Sequence, residues 1–411
     1  MIPLPASIPA HSAEPRARVR LRKRHRFALI AATLGAAWIA VQDATHGGVQ
    51  APDDLLPVRR GVPAADAAPV FRQSWINPHE HTRSAHGSAL CALPGGDQLA
   101  VWYGGSREGA ADVALFTARL PAGGKEWLPP VRVVDRVMAA EELERVVKKV
   151  GNAVVFADRA GRVWMVYVTV TVGGWSGSAL NVKTSNDDGR TWSRSRRLTL
   201  NPFLNVSSLV RNKPILTTDG RIGLPVYHEL AVKFPQMLWL TPGPDGDVAD
   251  YRIRNLSTET DLIQPTLVPL EGDRVLMLLR DQTDRRQMRT AYSEDNGWTW
   301  SEAAACGLPN PDAAVDALRL HDGRILLVYN DAVSGRETLR LAVSSDEGRT
   351  WVPGPVIESG RGKEYSYPCL TEGRDGRIHL SYTWERKRIR HVEFNLAWLG
   401  DGSPAREAVA Q

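Results

Sequence analysis

Short apolar runs, each broken by a glycine-bearing turn, recur along this chain from Phe71 to Gly402. Runs that brief, with turn residues on both sides, read as β-strands, because helices need longer amphipathic stretches. Three of the runs, Leu180 to Thr184, Gln287 to Tyr292 and Leu339 to Val343, lead into the same pattern, Ser-x-Asp-x-Gly-x-Thr-Trp. The copies are Ser185 to Trp192, Ser293 to Trp300 and Ser344 to Trp351. In such a turn the Asp carboxylate accepts backbone N–H groups and the Gly takes positive φ. The Thr-Trp pair then re-enters a strand behind a large apolar anchor.

The copies set a period. Gly189 and Gly297 are 108 residues apart and Gly297 and Gly348 are 51 apart, as if one copy were skipped. A second turn series, Gly96, Gly161, Gly220, Gly272, Gly323 and Gly376, precedes apolar strands at intervals of 65, 59, 52, 51 and 53 residues. A further turn follows each of these, at Gly124, Gly189, Gly246, Gly297, Gly348 and Gly402. Each unit therefore reads as strand, turn, strand, loop, strand, turn, strand. Six such units of roughly 55 residues predict an all-β fold, a six-bladed β-propeller spanning 71–402. Phe71 to Asn77 is expected to complete the last blade as its outer strand and so close the ring, removing its exposed edges.

Composition changes the picture only at the N-terminus. Seven basic residues between Arg16 and Arg26 precede an apolar stretch from Phe27 to Val41, the pattern of a membrane-targeting segment. The formal net charge is +5, so the remainder of the chain carries −2, which argues against a nucleic-acid-binding face. The expected organisation is a basic region 1–26, a signal anchor or cleaved signal 27–41, a linker 42–70, the propeller, and a tail 403–411. Either form of the apolar segment exports the propeller, leaving it membrane-anchored or secreted. The three cysteines, Cys91, Cys306 and Cys369, have no metal-ligand spacing. Cys91 and Cys369 fall in first strands of blades that adjoin on closure, compatible with a disulfide or with buried free thiols. No phosphate loop or paired histidine motif appears, so no cofactor or metal is called for.

The glycine turns of a blade lie at one end of its strands, so the repeated Asp motifs are expected to be structural. The opposite end gathers loops rich in charge: His86, Arg107 and Glu108 in blade one, and Arg211, Tyr227 and Glu229 in blade three. Gln264, Arg280 and Asp281 follow in blade four, Asp312 and Arg336 in blade five, and Tyr365, Tyr367, Glu385 and Arg386 in blade six. Arginines bind carboxylates bidentately and aromatic faces stack on sugar rings, so this end suits an anionic, hydroxyl-rich ligand.

With six blades and three Asp-box turns, the chain resembles the sialidase (neuraminidase) superfamily, and more closely a bacterial branch of sialidase-like proteins, over about Trp75 to Leu399. Asp boxes carry fold better than activity. The resemblance implies three arginines on a sugar carboxylate, a tyrosine nucleophile activated by a glutamate, and an aspartate acid/base, an exception to the two-carboxylate scheme. Arg280, ending VLMLLR, resembles the second arginine and Arg336, in SGRETLRLAVS, the third. Tyr365 in EYSYPCL resembles the nucleophile, and Glu108 in GGSREGAADV occupies the acid/base position. Two positions depart: His86 stands where the first arginine is expected, and Gln264 where the glutamate is. Glutamine cannot accept the phenolic proton, and a neutral tyrosine is a weak nucleophile without a base. His86, able to titrate near neutrality, could act as base or polarise a sugar hydroxyl.

The expected function is an exported glycosidase acting on a terminal acidic sugar, a sialic, other ulosonic or uronic acid, of a glycan or exopolysaccharide. Its catalytic residues are Glu108, Tyr365, His86 and Gln264, and its substrate ligands Arg280, Arg336, Arg107, Asp281 and Tyr367. A polysaccharide lyase on uronates and a non-catalytic glycan-binding propeller are the alternatives.

Overall fold

The computed structural model describes residues 52–56, 68–79, 81–201, 205–257 and 259–400. The basic and apolar N-terminal segments, the turn at Gly402 and the C-terminal tail lie outside them.

Six antiparallel sheets form the six-bladed propeller. Blade one comprises Ser84–Ala92, Gln98–Gly105, Ala114–Leu120 and Val131–Asp135. Blade two comprises Lys149–Ala157, Val163–Val170, Ser178–Ser185 and the short Arg196–Arg197. Blade three has Ser208–Val210 with Ile215–Leu216 inside Ile222–Glu229, then Lys233–Pro242 and Val248–Asn255. Blade four runs Leu262–Pro269, Val275–Asp281, Gln287–Ser293 and Ala304–Pro309, and blade five Asp316–Arg319, Ile325–Asn330, Thr338–Ser344 and Val352–Ser359. Blade six holds Tyr365–Glu372, Ile378–Trp384 and Arg388–Phe394, and takes its fourth strand, Phe71–Trp75, from before blade one. That strand pairs antiparallel from Phe71↔Phe394 to Trp75↔Arg390.

Burial follows position in the blade. Val163–Val170, with both faces covered by neighbours, is buried at all eight positions, as strands covered on two sides must be apolar throughout. The outer strand Val352–Ser359 is only partly buried.

The Asp turns do two jobs. Asp187 Oδ1 accepts from the Ser185 hydroxyl (2.7 Å) and the N–H groups of Arg190 (3.0 Å) and Thr191 (2.8 Å), while Oδ2 takes the Thr191 hydroxyl (2.6 Å). The turn's glycine also seats it on the preceding blade. At Gly348, φ is +85° and a Cβ would stand 2.5 Å from the Leu276 side chain of blade four, so only glycine fits.

Three features were not legible in the repeat. The second turn of blade one places Gly123, not Gly124, at positive φ. The connection from blade one to blade two contains a helix, Arg136–Leu143, capped by the Asp135 carboxylate on the N–H groups of Val137 and Met138. Its Glu142 binds the buried Lys183 ammonium at 2.6 Å. Within the expected linker, residues 52–56 lie along blade three, where Leu55 bridges Thr217 and is buried with Ile215, Met237 and Trp239. Cys91 and Cys369 are buried free thiols and Cys306 is a partly buried one.

Candidate functional site

The innermost strands of several blades break register at the same level, the end away from the glycine turns. In blade one, pairing passes from His86↔Tyr103 to Ala89↔Val101; in blade four, from Ile263↔Arg280 to Thr266↔Leu278; in blade six, from Ser366↔Thr383 to Cys369↔Ser381. Each shift inserts one extra residue. At these breaks Gly87, Gln264 and Tyr367 have φ of 63°, 52° and 54°, and Asp312, just ahead of blade five's first strand, has 58°. A bulge of this kind re-aims a side chain that regular alternation would bury elsewhere.

Two of these residues, Gln264 and Tyr367, line a cavity of about 110 Å³ together with Glu108, Asn152, Trp175, Leu209, Tyr227, Glu229, Ile263 and Arg280. Arg280 is anchored by Asp312 (Nε to Oδ1, 2.6 Å) and donates from Nη1 to Gln264 Oε1 at 3.0 Å. Gln264 Nε2 donates to the Tyr227 hydroxyl at 3.2 Å. The Arg211 and Arg336 guanidinium carbons lie 5.2 and 5.6 Å from the centroid of the Tyr367 ring. Burial alone would push the Tyr367 phenol up, but the Arg280 and Arg336 guanidiniums outweigh it and hold the phenol below its usual value. Glu108 accepts from Arg386 Nη1 at 2.5 Å and from the Tyr103 hydroxyl at 3.3 Å. Arg386 Nε in turn reaches Glu364 at 2.8 Å, and Arg336 reaches the same carboxylate at 3.4 Å. The arrangement can hold an anion, shift a phenol toward phenolate, and offer a carboxyl group across the cavity from it.

A sequence profile for the BNR repeat-like domain matches residues 96–380. The chain belongs to that family. It is 24% identical over 420 residues to a sialidase of Micromonospora viridifaciens, covering 95% of this chain and 62% of that protein. It is 23% identical over 229 residues to a sialidase of Bacteroides fragilis (strain YCH46), covering 53% of this chain and 41% of that one. The chain thus spans about three fifths and two fifths of the lengths of these two curated relatives. Among solved structures, the Hadza microbial sialidase Hz136 superposes with a TM-score of 0.66 at 17% identity, covering 80% of this chain and 69% of that chain.

This BNR repeat-like chain brings together Glu108, Gln264, Arg280 and Tyr367 as cavity lining, with Arg336 beside Tyr367. Four of the expected site residues lie elsewhere. Tyr365, expected as the nucleophile, is 4% exposed in the apolar seam between blades five and six, with Leu339, Leu341 and Tyr382. Burial, Glu358 and Glu385 push its phenol up to about 12. The tyrosine at the arginines is Tyr367, two residues on, turned there by its bulge. Asp281 is fully buried and spends its carboxylate on the Thr283 N–H (2.8 Å) and Arg285 Nε (3.0 Å). Arg107 is exposed on the loop before Glu108. His86 is buried behind Tyr367, ring centroids 4.5 Å apart, with Nε2 3.9 Å from Glu108. Burial, together with Arg386, Arg336 and Arg211, holds its imidazole well below the usual value, which favours the neutral form.

Trp175 and Glu364 were not singled out from the sequence. Trp175 sits in the loop Gly173 to Gly177, with the Lys149 ammonium 4.0 Å from its ring centroid, and the glycine pair before it with the single glycine after it were its available signal. A larger cavity of about 200 Å³ on the turn face, between blades one and six, includes Arg72, Arg377 and Glu393. Its Glu393 already pairs with both arginines, leaving a poorer anion site.

Proposed function

We propose that the propeller is a sialidase-like glycoside hydrolase acting on a terminal acidic sugar of a glycan or exopolysaccharide, carried outside the cytoplasm by its N-terminal segment. The observation that carries this reading is Tyr367 set among Arg280, Arg336 and Arg211, on a cavity shared with Glu108. Arg280 and Arg336 hold the sugar carboxylate. The phenolic proton of Tyr367 passes to Glu108, directly or through water; the phenolate oxygen then bonds to the anomeric carbon as the glycosidic bond breaks, and Glu108 gives that proton to the leaving oxygen. Water, deprotonated by Glu108, then releases the sugar from Tyr367. With Gln264 unable to accept the phenolic proton, the arginines replace the missing carboxylate by favouring phenolate directly.

Hydrolysis of a 4-methylumbelliferyl sialoside, together with release of reducing ends from acidic polysaccharides, tests this. Glu108→Gln and Tyr367→Phe are each expected to lower turnover by at least about a hundredfold. Turnover unaffected by either change refutes the assignment.

A further inference from the structure

The hydrogen bonds linking Asp312, Arg280, Gln264 and Tyr227 have a direction that the chemistry of the groups dictates. A guanidinium carries donors only, so the Gln264 atom facing Arg280 at 3.0 Å is the amide oxygen. The amide nitrogen therefore faces Tyr227 at 3.2 Å and donates to its oxygen. The phenolic proton of Tyr227 is left to be given elsewhere, and it has no acceptor among the described residues. Tyr227 is 2% exposed, and its neighbours on the cavity wall include Gln264, Arg280 and Tyr367. A carboxylate at position 264 would reverse this polarity, accepting from Arg280 and from the tyrosine alike. The amide thus converts a hydroxyl that a carboxylate would have bound into a donor held beside Arg280.

We propose that Tyr227, oriented by Gln264, is a ligand-binding residue that donates its hydroxyl proton to a carboxylate oxygen of a sugar acid held by Arg280. This rests on the acidic-sugar reading of the site. Burial pushes the Tyr227 phenol up, whereas Tyr367 on the same cavity is held down by arginines. One tyrosine keeps its proton to donate and the other is prepared to lose it, a division set by environment.

The test is calorimetric titration of the full chain with N-acetylneuraminate and with glucuronate, and with the methyl ester of each. Tyr227→Phe is expected to weaken binding of the acid about tenfold and of its ester markedly less. In a Gln264→Glu background, where the carboxylate already takes the hydroxyl proton, the same change is expected to alter affinity by less than about twofold. An equal loss in both backgrounds, or none in the wild-type background, overturns the proposal. If Arg280→Ala abolishes acid binding and Tyr227→Phe does not affect it, only this inference falls. If the wild-type chain binds neither acid, the carboxylate reading falls with it.

Discussion

Replacing Asp295 by alanine removes the centre of one repeated turn and nothing from the cavity. Its Oδ1 accepts from the Ser293 hydroxyl (2.8 Å) and the N–H groups of Trp298 (3.1 Å) and Thr299 (2.7 Å), and Oδ2 accepts the Thr299 hydroxyl at 2.6 Å. Four bonds to a charged acceptor, each contributing about 0.5–1.5 kcal/mol and discounted because water can replace part of them, sum to a loss of about 2–4 kcal/mol. With m of about 3 kcal/mol/M, the urea midpoint read by tryptophan fluorescence falls by about 1 M. Asp295→Asn keeps the Oδ1 acceptor, and its new N–H can donate to the Thr299 oxygen, so its cost stays below about 1 kcal/mol. Ligand affinity is unchanged in both, because the turn lies at the far end of the blade from the cavity. An alanine variant within about 0.3 M of the wild-type midpoint, or an asparagine variant as destabilised as alanine, refutes this account of the turn.

Two further outcomes follow from the same structure. The Thr191 hydroxyl and N–H hold Asp187 at about 2. At Asp295 and Asp346, burial opposes but the hydroxyl and amide donors of Thr299 and Thr350 prevail, and both are lowered. These folded values lie below the unfolded value of about 3.9, so the stabilisation is present above about pH 4 and is lost as pH falls toward 2. A urea midpoint that stays level from pH 5 to about 2.5 contradicts this. Tyr365→Phe, altering only a hydroxyl in the blade five and six seam, is expected to keep sialoside hydrolysis within about twofold while Tyr367→Phe removes it. The opposite ranking returns the nucleophile to Tyr365.

The fold was legible because the turn chemistry repeats: three full Asp turns and their worn partners mark blade after blade. The site was harder to read because its residues sit where the repeat is broken. In an unbroken strand Tyr365 and Tyr367 would share a face, and nothing in their identities tells seam from cavity. The bulge decides, and its trace in the sequence is proline. Gln264-Pro265 and Tyr367-Pro368 each place, inside a first strand, a residue that cannot donate to the ladder. The residue ahead of each proline faces the cavity. No comparable mark points to the role of Tyr227, which depends on the bond polarity of Gln264, a side chain three strands further along the sequence.

The strand Phe71–Trp75 finds its partner 323 residues later, at Phe394. Hairpins within each blade can form as soon as their own strands exist, whereas this last pairing waits for the whole propeller. Until then one edge of blade six and one early strand stay open to any other extended chain. Closing this seam therefore carries the loop-closure cost of nearly the whole propeller. Of all places in the ring, it is here that two copies caught half-folded would exchange strands.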